Sequence, residues 1–286
     1  MPAAAWSPKD AVSADYSSQS NLAFSFLCLS RERRADMNVF YTFCRLADDI
    51  ADAPDVPVEQ KAALLGEWRE ALAQPAPDPA HARLWDQLDT LIAKYQIPRE
   101  HFLEILEGVS MDLSGRHYAT FAELRGYCHR VASVVGLVSI EIFGYRDSGC
   151  RQYALDLGLA LQLTNIIRDV GADLDNGGRI YLPLEDLERF GYPPEDLRER
   201  VYDGRFRALM EFEASRAHSF YESAIQALPR ADRRSMAAAE IMRAIYWRLL
   251  RVMRRDGFKT LRKRYRLNAW QKLWTLLTTL LANRLG

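Results

Sequence analysis

Residues that interrupt regular structure are scarce in this sequence, with 15 Gly and 12 Pro in 286 residues. Such a chain suits long helices better than the many turns of an all-β fold. An excess charge of either sign is also missing. Lys plus Arg and Asp plus Glu each number 38, for a net charge of zero. No bulk field draws nucleic acid, so none is expected as a partner. Cysteines number four (Cys28, Cys44, Cys128 and Cys150), none in a C-x-x-C pair. Buried free thiols in a reducing compartment are expected, and hence a cytoplasmic protein. No stretch offers about 18 uncharged apolar residues, so no membrane span is expected. The start, Met1-Pro2-Ala3-Ala4-Ala5, lacks a basic segment followed by an apolar run and predicts no signal peptide. The five histidines have no H-x-x-x-H spacing and no G-x-G-x-x-G is present, so neither a histidine metal site nor NADPH is expected.

What is present reads as helix after helix. Hydrophobic residues make up 49% of the chain, enough for a sizeable core. Helices are expected near 22–29, 35–52, 58–73, 80–95, 98–110, 120–143 and 148–173, then from Asp203 to about 228, from Asp232 to about 255, and over 269–283. Thr120 and Glu123 have capping-box spacing, Ser148 is a candidate N-cap, and Asn176-Gly177-Gly178 is a helix stop. Residues 74–79 form a proline-rich loop, and residues 1–14 are expected to be flexible. With no repeat of solenoid period and no clear linker, the expectation is one all-α domain over 1–286.

Two of these helices carry an unusual pattern. At about 100° per residue, Tyr41, Arg45, Asp48 and Asp52 share a face about 60° wide. Val39, Phe40, Phe43, Leu46, Ala47 and Ile50 surround them. Gln162, Asn165, Asp169 and Asp173 share a face about 80° wide, set among leucines and isoleucines. Polar stripes inside apolar helices predict a polar cavity in the core. Carboxylates four residues apart repel, and burial sharpens the repulsion unless a cation joins them. Oxygen donors without His or Cys point to a hard ion such as Mg²⁺, commonly held by carboxylates together with substrate phosphates. The alternative is a pair of surface clusters, with Asp48 and Asp52 salt-bridged to Arg45.

In these segments the sequence resembles the squalene/phytoene synthase family. The matching stretches are Tyr41 to Asp52, Leu161 to Asp173, the signature Gly178-Arg179-Ile180-Tyr181-Leu182-Pro183, and Tyr127 to Gly136. The likeness runs from about residue 15 to about residue 270. It implies a single helical bundle of the isoprenoid synthase type with a central substrate tunnel. It implies Asp48, Asp52, Asn165, Asp169 and Asp173 as Mg²⁺ ligands, directly or through water. Arg45, Tyr127, Gln162, Arg168, Arg179 and Tyr246 are implied to contact substrate, and Tyr41 to lie beside the site. Ser18 and Ser20 match a diphosphate-binding S-x-S, although Ser17 and Asn21 depart from the usual flanks. The wording Arg130-Val131-Ala132-Ser133 and the short length most resemble the presqualene diphosphate synthases, which use two farnesyl diphosphates. Hydroxysqualene, phytoene and dehydrosqualene synthases remain alternatives. So does a non-catalytic prenyl-diphosphate-binding or assembly-factor relative. The released diphosphate and Tyr41 are the candidate bases.

The C-terminal region is strongly basic from Arg248 to Arg266. It leads into an amphipathic helix, 267–285, carrying Leu267, Trp270, Leu273, Trp274, Leu277 and Leu281. Core packing is the commoner use of such a stripe. The other reading is peripheral contact with the inner face of a membrane.

Overall fold

A computed structural model describes residues 25–73 and 81–285. Ser18 and Ser20 lie outside them, as do the segment 1–14, the first three residues of the expected 22–29 helix and the loop 74–79. Among the described residues there is no strand. The chain divides into two compact units, the first ending at Ser114 and the second beginning at Gly115.

The first unit is built from α1 (Arg31–Asp52), α2 (Val58–Ala73), α3 (Ala82–Tyr95) and α4 (Arg99–Met111). A short 3₁₀ turn, Phe26–Cys28, stands where the end of the 22–29 helix was expected. α1 begins earlier than its pattern suggests because Ser30 caps it, accepting from the Arg33 N–H at 3.3 Å. Its buried face holds Met37, Phe40, Phe43, Leu46, Ala47 and Ile50. Phe43 stacks on Trp68 of α2 at 5.7 Å and meets Trp85 of α3 and Phe102 of α4 edge-on. Such aromatic contacts make this cluster the centre of the unit's core.

In the second unit, α5 (Phe121–Cys128) and α6 (Val134–Phe143) are joined by one π-helical turn, His129–Ser133. The long α7 (Gly149–Asp175) is followed by two short helices the periodicity did not reveal, α8 (Leu184–Arg189) and α9 (Pro194–Arg198). Then come α10 (Gly204–Ala227), α11 (Ala237–Arg255) and α12 (Ala269–Leu285). The stretch Phe121–Phe143 has the length and mean apolarity of a membrane span, but it contains Arg130 and Glu141 and half of its most apolar part is buried. It packs as a core helix against α7.

Caps explain several boundaries. Thr120 accepts from the Glu123 N–H at 3.3 Å, and Glu123 accepts from the Ala119 N–H at 2.9 Å. Asp203 caps α10 as expected. Asp232 caps no helix; it is buried and accepts from the Arg146 and Asp147 N–H groups at 2.9 and 3.0 Å. Ser148 precedes α7 without a side-chain cap bond, and Asp147 serves instead, accepting from the Gly149 N–H.

Close approach around α7 depends on two glycines. A Cβ on Gly158 would lie 2.6 Å from the Ser133 Cα, and one on Gly171 would lie 2.6 Å from the Leu261 carbonyl oxygen. The π turn and the 3₁₀ turn Lys259–Leu261 can therefore rest directly on the helix backbone.

The four cysteines are free thiols, with Cys128 and Cys150 buried and Cys28 and Cys44 half-buried.

Candidate active site

In the first unit, Tyr41, Arg45, Asp48 and Asp52 lie along the side of α1 away from its buried face. Tyr41 is half-buried and the other three are exposed. Within this unit the stripe is thus reachable by water rather than enclosed in core. The reason is local: the aromatic cluster takes the opposite side of the helix and fills it. The Arg45 guanidinium pairs with Asp49 at 2.8 Å. The Asp48 carboxyl is pushed up to about 7 by desolvation, then by the negative charges of Asp52, Asp112 and Asp49, which outweigh Arg45. Asp112, at the end of α4, adds a further acid that no local pattern singled out.

The second unit gathers the remaining expected residues along α7. The Asn165 amide donates to the Gln162 side-chain oxygen at 3.3 Å. The Asn165 side-chain carbonyl oxygen is buried and accepts no hydrogen bond among the described residues. Arg168 donates from Nε to Asp169 at 2.9 Å, and its second nitrogen also pairs with that carboxylate. The Tyr246 hydroxyl lies against the same guanidinium. Desolvation works to raise the Asp169 carboxyl, but hydrogen bonds and charge from Arg168 and Arg264 prevail and hold it below its ordinary value. Asp173 behaves oppositely: desolvation and the neighbouring Asp169 push it up to about 7 despite Arg179, Arg168 and Arg264.

Asp173 and Arg179 line a cleft of about 220 Å³, part of it open to solvent, with Ile166, Val170 and Tyr181 on its walls. Tyr127 is buried and stacks on Tyr181 at 5.4 Å, and Tyr118 completes the stack. Arg264, Tyr118 and Tyr181 were not among the expected site residues. Arg264 follows α11 and is remote in sequence from α7, so no helical spacing could reveal it.

On α7 the oxygen donors Asn165, Asp169 and Asp173 are of the kind a divalent cation takes. Asn165 presents an orphaned buried carbonyl oxygen of the kind a cation would satisfy. Asp48 on one stripe and Asp173 on the other are each raised toward the neutral form by burial and a neighbouring acid, a repulsion that a cation would relieve. Among the described residues, no three His, Cys, Asp or Glu side chains are arranged to hold an ion by themselves.

Residues 16–271 match the squalene/phytoene synthase family model. The chain is 35% identical over 265 residues to a 15-cis-phytoene synthase of Synechococcus elongatus, covering 87% of this chain and 84% of that one. It is 36% identical over 248 residues to a presqualene diphosphate synthase of Zymomonas mobilis, covering 86% and 84%. Among solved structures, a dehydrosqualene synthase in complex with a ligand shares 26% identity and a TM-score of 0.80, covering 94% of this chain and 93% of that one. With a helical fold and both aspartate stripes in place, the chain belongs to the squalene/phytoene synthase family, prenyltransferase-type proteins of head-to-head prenyl diphosphate condensation.

Proposed function

We propose that this chain joins two molecules of farnesyl diphosphate head to head, releasing one diphosphate and forming presqualene diphosphate for squalene and hopanoid biosynthesis. The observation that carries the reaction class is the pair of i, i+4 aspartate stripes, each holding one carboxyl raised to about 7. The product assignment is supported by the Arg130-Val131-Ala132-Ser133 segment and by relatives named presqualene diphosphate synthase.

Mg²⁺, held by Asp48, Asp52, Asn165, Asp169 and Asp173 together with substrate phosphates, would supply positive charge to the departing diphosphate. Arg45, Arg168 and Arg179 are cations suited to the same phosphates, with Gln162 and Tyr246 as neutral hydrogen-bonding partners and Ser18 and Ser20 as further diphosphate contacts. The donor's C1–O bond breaks, and the resulting allylic cation is attacked by the acceptor's double bond. Proton loss then closes a cyclopropane, and the acceptor keeps its own diphosphate. The proton passes to the released diphosphate or to Tyr41. The aromatic faces of Tyr127 and Tyr181 and the apolar walls beside Asp173 exclude water that would quench the cation. No bond order changes that would need a reductant, so NADPH has no part in this step. The four free thiols support a reducing, cytoplasmic setting.

A second reading is phytoene synthesis from C20 donors, favoured by phytoene synthases at comparable identity. The test is incubation of purified protein with Mg²⁺ and either farnesyl or geranylgeranyl diphosphate, without NADPH, and mass spectrometry of the product. A C30 cyclopropylcarbinyl diphosphate is expected. Hydroxysqualene, squalene, dehydrosqualene or C40 phytoene as the main product overturns the assignment. Asp169→Asn at full turnover would remove the metal site from the reading.

A further inference from the structure

α12 presents its apolar side to solvent. Trp270 is 79% exposed, Trp274 65%, Leu277 48% and Leu273 38%. At about 100° per residue these four side chains form one stripe about 100° wide. The side packed against the protein carries Thr275 and Leu276 instead. Two indoles and two leucines aligned on one exposed face make a contiguous patch, unlike apolar residues scattered singly.

The surroundings of the stripe are cationic. From residue 248 to the C-terminus there are eleven Lys and Arg and a single acid, Asp256. Asp256 is already paired with Lys259 and Lys263, and Arg264 with Asp169. Arg262 and Arg266, just before α12, and Arg251 and Arg255, late in α11, are exposed and form no salt bridge among the described residues.

Together these features select one partner. A second copy docking face to face through this stripe would bring two basic segments against each other. An anionic lipid surface accepts both parts at once. Its acyl boundary takes the indoles and leucines, and its phosphates take the arginines. At 17 residues, α12 suits a helix lying in the plane of the interface. We propose that the protein docks on anionic bilayers through α12, with Trp270, Leu273, Trp274 and Leu277 inserted and Arg262 and Arg266 on the headgroups. The proposal does not depend on which prenyl product the chain makes.

The experiment is flotation of the full chain with vesicles of phosphatidylglycerol and phosphatidylcholine in equal parts, against phosphatidylcholine alone, at physiological salt. The chain is expected to float with the anionic vesicles and to partition to the neutral ones about tenfold less or weaker. Trp270→Ala with Trp274→Ala should weaken binding about tenfold or more with an unchanged thermal melt. Arg262→Gln with Arg266→Gln should remove most of the preference for anionic lipid. Should the tryptophan variant melt early, Leu273→Glu on the same exposed stripe supplies the same readout. Failure to float with anionic vesicles overturns the proposal, as does undiminished flotation of a well-folded stripe variant. A concentration-dependent dimer that the tryptophan substitutions abolish, without vesicle binding, would assign the face to a second copy instead.

Discussion

Arg264 reaches across 95 positions of sequence to Asp169, donating from Nε at 2.8 Å and from a terminal nitrogen at 3.3 Å. With Arg168 on the same carboxylate, the central acid of the second stripe is held by two guanidinium groups.

That arrangement predicts opposing effects of Arg264→Gln. Removing one cation lessens repulsion of an incoming Mg²⁺, so half-maximal turnover should need less Mg²⁺. A charge-assisted contact is worth about 1.5–3 kcal/mol, so maximal turnover should fall about tenfold or more if the freed guanidinium serves the diphosphate. A Mg²⁺ titration of turnover measures both, and a raised Mg²⁺ requirement would contradict the placement.

Asp173 supplies a pH prediction. Its folded carboxyl lies at about 7, above its ordinary value of 3.8. Between these limits the folded chain binds more protons than the unfolded one, so this group's contribution to stability falls as pH rises, and above about 7 its penalty is complete. Asp173→Asn should therefore melt a few degrees higher than the parent at pH 8, on the order of 1 kcal/mol after screening, and show no gain near pH 4. Asp48 shifts in the same direction, but water reaches it, so its substitution should give a smaller gain. Thermal melts across that range, without added metal, are the measurement.

Gly171 and Gly66 form a matched pair. An Ala Cβ at 171 would lie 2.6 Å from one backbone oxygen and 2.7 Å from another, and backbone gives way poorly. Gly171→Ala should cost about 1–3 kcal/mol. It should also disturb turnover, because the displaced turn leads to Arg264. Gly66, inside α2, has nothing within 4 Å of an added Cβ, so Gly66→Ala should stabilise by about 0.5–1 kcal/mol. Chemical denaturation of both variants tests the contrast.

Arg216 holds two buried acids. It donates to Asp186 at 2.7 Å and to Glu213 at 2.8 Å, and its guanidinium lies 4.1 Å from the centre of the Phe121 ring. Arg216→Ala would strand both carboxylates and should destabilise by about 3–5 kcal/mol, lowering Tm by about 10 °C. Asp186→Asn with Glu213→Gln in the Arg216→Ala background should recover part of that loss.

Helical periodicity was enough to read α1 and α7, because a leucine- and aromatic-rich face repeating near 3.6 residues leaves few other structures open to these segments. The same periodicity aligned Asp48 with Asp52 and Asp169 with Asp173, since four residues is close to one turn. Short helices such as α8 and α9 carry too few residues to show a period. Asp232 is a capping residue type whose carboxylate went to a distant loop, a competition that only packing settles. What the stripes face was likewise a tertiary matter. On α1 the aromatic cluster claims the opposite side and leaves Asp48 and Asp52 reachable by water. On α7 the nearest partner of Asp169 beyond its own helix is Arg264, brought there by the turn that rests on Gly171. The orientation of α12 is the clearest case. Its amphipathic pattern is plain in the residues, but whether the tryptophans face core or solvent depended on which side of the helix met the rest of the unit. Local spacing determines which side chains share a face, and only the packing of distant segments determines what that face meets.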